Sequence, residues 1–419
     1  PNEELPAARN HLVSPIHDRL TAHNAVWGAS FGLEVPLWFQ KPGLPAEEHV
    51  TFRRSNAFAM VAEEVAAVRE RVGLFETTGY AKYEFSGPGA RAFLDLLLPN
   101  HIPAAGRLAL SPMLNRQGKL IGDFTVGALA SKHGEERFVV FGSGTAQRYH
   151  ERWFRQEMAT AAVDDAGDRS VTLRVWGNEL CGLSIAGPNA RALLAGLVDV
   201  DVSNDAFAFL DLRDTWVGSV PAIVGRISFT GDLGYEIWCA ASYQQQLFDT
   251  IMNEGRPHGI RLFGGRALDS MRLDKGWGAW ATEYRPIYDP VEANMGWMVR
   301  LGDDKGDFIG RDAAVAATAA GPQRRLVLFE MDAGDGDTAA DCIGNEPIWH
   351  GDGDEARVVG WVTSGGYAHH SRMSIAMGYV PAVLAEETDG WHIEVIGDLR
   401  TATRLKEPPF DPAGARMRA

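Results

Sequence analysis

Apolar and polar residues follow two rhythms along this chain, and the changes of rhythm mark its parts. A three-to-four spacing over Ala57–Val72 (Val61, Val65, Val68, Val72) predicts an amphipathic helix with Glu63, Glu64, Arg69 and Glu70 on its solvated face. A period of two over Tyr80–Phe85 predicts a strand. Ser111–Val126 reads as strand, tight turn, strand. Met113 and Leu114 close one apolar run, Asn115-Arg116-Gln117-Gly118 is turn chemistry, and Leu120–Val126 opens a second run. Phe138–Phe141 and Val171–Trp176 are apolar strands, while Thr145–Glu157 and Tyr243–Asn253 have helical spacing. Leu268–Gly276 reads as a helix with Leu268, Met271 and Leu273 inward and a glycine stop.

From about Gln323 the texture becomes all-β. Leu326–Phe329, Val358–Thr363, Ser374–Tyr379 and Trp391–Val395 are short strands with glycine turns between them, as in a small barrel or sandwich. The first fifty residues are irregular apart from a helical pattern at Ile16–Ala22. The aromatic-rich Trp27–Phe39 reads as a loop lying against a core or a neighbouring domain. The Pro-rich segment after Arg404 is expected to be loosely ordered.

The chain also repeats itself. Phe85-Ser-Gly-Pro-Gly-Ala-Arg-Ala-Phe-Leu94 is echoed by Ile185-Ala-Gly-Pro-Asn-Ala-Arg-Ala-Leu-Leu194, an offset of 100 residues. In both, a strand ends at Gly-Pro and a helix follows. That spacing is too long for a solenoid and suits two related α+β halves packed together. The expected division is a lead-in over 1–50, halves over 51–160 and 161–320, the β part over 321–405, and a tail over 406–419.

Charge and cysteine content narrow the chemistry. A formal net charge of −15 with scattered Lys and Arg would repel a phosphate backbone, so nucleic acid is not an expected partner. Cys181, Cys239 and Cys342 are odd in number and far apart, with neither disulfide nor zinc spacing, which fits a reducing compartment. No metal site is expected. There is no bilayer-length apolar run and no signal-peptide pattern, so no membrane partner is expected. The opening Pro1-Asn-Glu-Glu-Leu-Pro6 reads as a linker, left after processing or cut from a longer polypeptide. Gly142-Ser-Gly144 lacks the third glycine of a dinucleotide loop, and His150-Glu151 lacks the second histidine of a zinc protease.

Two carboxylates stand out. Asp123 lies mid-strand among Leu, Ile, Phe and Val, where burial is costly without a partner, and Gly122 beside it leaves room for a ligand. A solvated edge-strand position for Asp123 is the competing reading. Glu236 sits in the strand Tyr235–Cys239, read as the second arm of a hairpin starting at Arg226, just after the turn Thr230-Gly-Asp-Leu-Gly234. Two such acids, each following a glycine-containing turn in the two halves, look more like a site than one alone.

Several ordered motifs then carry a resemblance: Met113-Leu-Asn115…Gly118…Asp123, Thr230-Gly…Gly234-Tyr-Glu236, Asp269-Ser-Met-Arg272-Leu-Asp, Asp307-Phe-Ile-Gly-Arg311 and Val362-Thr-Ser-Gly365…Ala376-Met-Gly-Tyr-Val-Pro381. Over roughly residues 50–385 the chain resembles the tetrahydrofolate-dependent aminomethyltransferase family, the T-protein of glycine cleavage and its relatives. The nearer branch is the folate-binding half of dimethylglycine and sarcosine dehydrogenases. Ser14-Pro-Ile-His-Asp-Arg19 and Phe31-Gly-Leu-Glu…Trp38-Phe39 resemble the joint of that branch to an N-terminal flavin domain.

The resemblance implies an α+β fold of two related halves followed by a small C-terminal β-barrel. It implies tetrahydrofolate as cofactor, with FAD only in a fused or partner domain outside this chain. Asp123 matches the catalytic aspartate and Glu236 the pterin-binding acid. Phe138, Met113, Leu114, Tyr235 and Arg266 would complete the folate site, with Trp277 and Trp280 lining the one-carbon pocket or packing in a core. Two departures are visible. The first acid of the family's Asp-Asp pair is Gly122 here, and the family arginine before Asp-Ser aligns with Leu268, leaving Arg266 or Arg272 to supply the charge. The implied reaction captures the one-carbon unit of an oxidised N-methyl amine as methylenetetrahydrofolate. The alternatives are a free-standing tetrahydrofolate-dependent demethylase acting on an O-, S- or N-methyl donor, and a non-catalytic folate-binding module. The expected partners are a small one-carbon donor and a flavin dehydrogenase domain or subunit, in the cytoplasm or mitochondrial matrix.

Overall fold

A computed structural model describes residues 3–5, 7, 9–132, 135–163 and 170–419. Pro1, Asn2 and Pro6 of the opening linker lie outside the described residues. Helix α1 (His17–Ala22) precedes a hairpin of β1 (Ala25–Ser30) and β2 (Leu33–Phe39). Helix α2 (Ala57–Glu70) leads through β3 (Val72–Glu76) to β4 (Ala81–Ser86), α3 (Ala90–Leu97), β5 (Arg107–Leu114), β6 (Leu120–Lys132), β7 (Glu135–Gly142) and α4 (Gln147–Val163). The order then recurs. Strand β8 (Thr172–Val175) leads to β9 (Leu180–Ala186), α5 (Ala190–Ala195), β10 (Leu212–Val217), β11 (Val220–Gly225), β12 (Gly234–Ala240) and α6 (Gln244–Gly255). After β13 (Ile260–Leu262), α7 (Gly265–Asp274) and α8 (Arg311–Ala320) comes a closed barrel. It comprises β14 (Arg324–Met331), β15 (Pro347–His350), β16 (Arg357–Ala368), β17 (Met373–Pro381), β18 (Trp391–Val395) and β19 (Asp398–Leu405), and α9 (Ala415–Arg418) follows.

The repeat seen in the sequence is a repeat in space, with an exchange. The sheets run β5-β6-β7-β4-β8 and β10-β11-β12-β9-β3-β13, so the strand preceding each half joins the sheet of the other. The Gly-Pro turns sit at the two crossings. Gly87 and Gly187 have φ of +100° and +129°, and a side chain on them would collide with backbone carbonyls of Ser170 and of Val68 and Arg71 respectively. One residue pair on, Gly89 N–H donates to Ser170 O at 3.1 Å and Asn189 N–H to Arg71 O at 2.9 Å. The motif recurs because the same turn must clasp the incoming strand twice.

Tertiary enclosure overrides the local pattern at several points. Trp27–Phe39, expected as a loop, is mostly the β1–β2 hairpin, with Trp38 fully buried against α2 and α7. On α2, Glu64 and Arg69 are buried rather than solvated. Glu64 accepts N–H bonds from Phe39 at 2.7 Å and Gly264 at 2.9 Å. Arg69 pairs with Asp232 and, at 3.3 Å, with Asp274. A helix covered on two sides has no fully wet face. The segment after Arg404 is docked, not loose: β19 closes the barrel, Phe410 lies 3.6 Å under the Arg69 guanidinium, and Arg416 donates to Asp232 at 2.7 Å. The arm expected from Arg226 lies earlier, at β11, and 226–233 is the connecting loop. Strands β15 and β19 were not expected from the pattern.

The Ser111–Val126 hairpin forms as predicted. Asn115 Oδ1 accepts from Gln117 N at 2.9 Å and Lys119 N at 3.0 Å, and Gly118 takes φ +72°. Replacing Asn115 by Ala removes both bonds, and urea unfolding should show a loss of about 1–2 kcal/mol. An unchanged midpoint would mean that water replaces the side chain at no cost.

Candidate active site

Strand parity decides which side chains meet. On β6, Phe124, Val126 and Ala128 enter the core of the first half, so Asp123 shares the opposite face with Leu129. On β12, Tyr235, Ile237 and Cys239 enter the core of the second half, so Glu236 shares the opposite face with Trp238. Leu129 and Phe141 from one sheet pack with Leu180, Leu212 and Trp238 from the other, and Phe141 stacks on Trp238 with centroids 4.7 Å apart. By parity Asp123 and Glu236 therefore lie on the faces that the two sheets turn towards each other.

Both acids are walled in yet keep part of their surface accessible. Burial pushes the Asp123 carboxyl up to about 6 and the Glu236 carboxyl up to about 7. No basic group among the described residues offsets that cost, and only the Trp238 indole N–H favours the Glu236 carboxylate. Asp123 Oδ1 is buried without a hydrogen-bond partner. Two tyrosines that the pattern reading missed complete the surroundings. Burial, then the charges of Glu236 and Asp269, push the Tyr80 hydroxyl up. Burial, then the Asp123 and Glu283 charges, do the same for Tyr284, whose hydroxyl also bonds the Gly278 backbone. No local signal distinguishes these tyrosines from core residues.

The other predicted residues are dispersed. Phe138 and Met113 belong to the first half's own core and Tyr235 to the second's, all facing away from the layer. Leu114 packs with Leu120, Leu273 and Tyr288 on the barrel side. Trp277 stacks on Phe229 at 5.6 Å, and Trp280 lies beside His150 at 5.4 Å and Tyr149 at 5.9 Å. They share a loop with Tyr284, tied down by buried Glu283, which accepts from Thr363 at 2.6 Å and Thr282 at 2.7 Å. Arg266 pairs with Glu48 at 2.7 Å, and Arg272 bonds Asp269 at 2.9 Å. Both line a cavity of about 360 Å³ between residues 48–58, α7 and β16. Each candidate cation is thus already paired.

The GCVT N-terminal domain model matches residues 16–303, and the glycine cleavage T-protein C-terminal barrel domain model matches residues 324–411. Human mitochondrial dimethylglycine dehydrogenase is 34% identical over 409 residues, which is 97% of this chain and 45% of that protein. The 4-methylaminobutanoate oxidase (formaldehyde-forming) of Paenarthrobacter nicotinovorans is 28% identical over all of this chain and 48% of its own. The chain thus spans about half the length of these relatives. In fold it is similar to the glycine cleavage system aminomethyltransferase T of Bartonella henselae, with TM-score 0.75 and 22% identity, covering 95% of this chain and 97% of the other. No helix among the described residues is long and apolar enough to cross a membrane.

Proposed function

The chain belongs to the glycine cleavage T-protein family, and from that premise we propose that it is a tetrahydrofolate-dependent one-carbon transferase. It takes the methylene or formaldehyde unit of an oxidised N-methyl amine of the dimethylglycine or sarcosine type and forms 5,10-methylenetetrahydrofolate. The observation that supports this most is a pair of walled-in carboxylates with no cation among the described residues beside either, one of them with its Oδ1 unpartnered, on the faces that the two sheets turn towards each other.

The donor set fits a reduced pterin. A buried acceptor without a donor, Asp123 Oδ1, and a second acid without a cation call for a ligand rich in N–H groups. A pterin offers a ring N–H and an amino group side by side, which one carboxylate accepts together. Glu236 takes that role. When bound, tetrahydrofolate supplies the nucleophilic nitrogens. Asp123 would orient them and accept the proton that a nitrogen gives up as its bond to the carbon forms, the formaldehyde oxygen leaving as water. Tyr284 and Tyr80 help to keep water from the two acids. Phe138, Met113 and Tyr235 contribute by supporting the strands, since their side chains face the cores. FAD belongs to a fused or partner portion that generates the one-carbon unit, in keeping with the dehydrogenase and oxidase relatives and their greater length.

The test supplies the protein with ¹³C-formaldehyde and tetrahydrofolate. Labelled methylenetetrahydrofolate should form faster than in the uncatalysed condensation. Its rate should rise as pH passes upward through about 6, because Asp123 receives a proton only when ionised. Production of methyltetrahydrofolate from an intact methyl donor, with no response to formaldehyde, would defeat the proposal.

A further inference from the structure

The ladder between β5 and β6 skips one residue just before Asp123. Met113 pairs with Gly122 and Leu114 with Leu120, so Ile121 is bulged, and pairing of β6 with β7 starts only at Thr125. A bulge changes which face the following side chains take, and a one-residue slip would turn Asp123 from the inter-sheet layer into the core of the first half. Something must hold the bulge, and the Ile121 carbonyl needs a donor other than the ladder.

His150 on α4 supplies it. The ring is fully buried, and Nε2 lies 3.0 Å from Ile121 O. A carbonyl only accepts, so Nε2 carries the proton and Nδ1 is the bare nitrogen, itself buried and without a partner. Burial pushes the imidazole down to about 4, which keeps it neutral. Phe124 at 4.7 Å, Trp280 at 5.4 Å and Tyr149 at 5.7 Å fix the ring. Gly122 fits the same arrangement. A Cβ there would lie 2.6 Å from the Phe124 ring and 3.2 Å from His150 Nε2, so the ring and a side chain at position 122 compete for one space.

We propose that His150 is a positioning residue for Asp123: its Nε2–H pins the bulged Ile121 carbonyl, and the bulge aims Asp123 into the inter-sheet layer. The inference rests on the one-carbon reading for its functional consequence but not for its structural one. His150→Leu removes the donor, and His150→Gln restores an N–H near the same place. In the full chain, hydrogen exchange over residues 120–124 should quicken in His150→Leu and return towards wild type in His150→Gln. Formaldehyde-dependent kcat should fall about 10- to 10²-fold in the Leu variant, with tetrahydrofolate Kd within about twofold, since misplacement of a reacting group costs rate more than binding.

Unchanged exchange over 120–124 in His150→Leu overturns the proposal. So does a Gln variant as impaired as the Leu variant, which would mean that ring packing rather than the donor matters. If His150→Leu does not fold, the Gln variant decides alone: wild-type exchange and turnover uphold the tether, and their loss refutes it. Failure of the one-carbon reading shows itself separately, as turnover indifferent to Asp123 while the exchange result stands.

Discussion

Replacing Asp123 by Asn should slow formaldehyde-dependent turnover by about 10²–10⁴-fold, the usual worth of a positioned proton acceptor, while folate still binds. The substitution keeps the shape of the side chain and its place on β6, so the inter-sheet layer stays intact. It removes only the group that takes a proton. Because burial holds the carboxyl near 6, the wild-type rate should show an ionisation in that region, and the variant should lose it. Gly122 beside it has no side chain, and no cation among the described residues lowers the Asp123 value. Turnover that survives Asp123→Asn, measured as labelled product above the uncatalysed background, would remove Asp123 from the reaction.

The second large effect is on binding. Glu236→Gln replaces a two-oxygen acceptor with an amide that keeps one acceptor and turns an N–H₂ towards the other pterin donor. One charge-assisted bond becomes neutral and one buried donor loses its partner, a cost of about 2–4 kcal/mol or roughly 30- to 10³-fold in Kd. The pH dependence carries its own sign. In the free protein the Glu236 value is raised to about 7, so below that pH the carboxyl is mostly protonated and must ionise to accept both donors. Affinity of the wild type should therefore weaken as pH falls below about 7, by about tenfold per unit, and level off above it. The Gln variant should be flat over the same range. Isothermal titration with tetrahydrofolate at several pH values reads both effects. Equal affinity of the two proteins at pH 8 would end the assignment of Glu236.

These two acids were visible in the sequence for a simple reason. A carboxylate among apolar residues in a strand breaks a strong local rule, and the break shows without any knowledge of neighbours. The duplicated Gly-Pro turn was visible on the same ground, because Gly87 and Gly187 need backbone conformations that other residues avoid. The helices of α2 and α7, the Ser111–Val126 hairpin and the all-β texture beyond Gln323 follow from periodicity, which is a local property of the chain.

What the sequence could not decide is which distant surfaces meet. The sheets exchange strands β3 and β8 because each half offers an open edge to the other, and no local spacing records that choice. Glu64 and Arg69 look solvated from their helix alone, but their environment is set by Phe39, Gly264, Asp232 and Asp274, far away along the chain. The same holds for the site. Asp123 lies on the inter-sheet face of β6 because a bulge at Ile121 sets the parity of that strand, and the packing of the two sheets encloses the face of β12 that carries Glu236. Residue types are written into the chain one position at a time, whereas partners, burial and the ionisation they impose arise only when remote segments close around them.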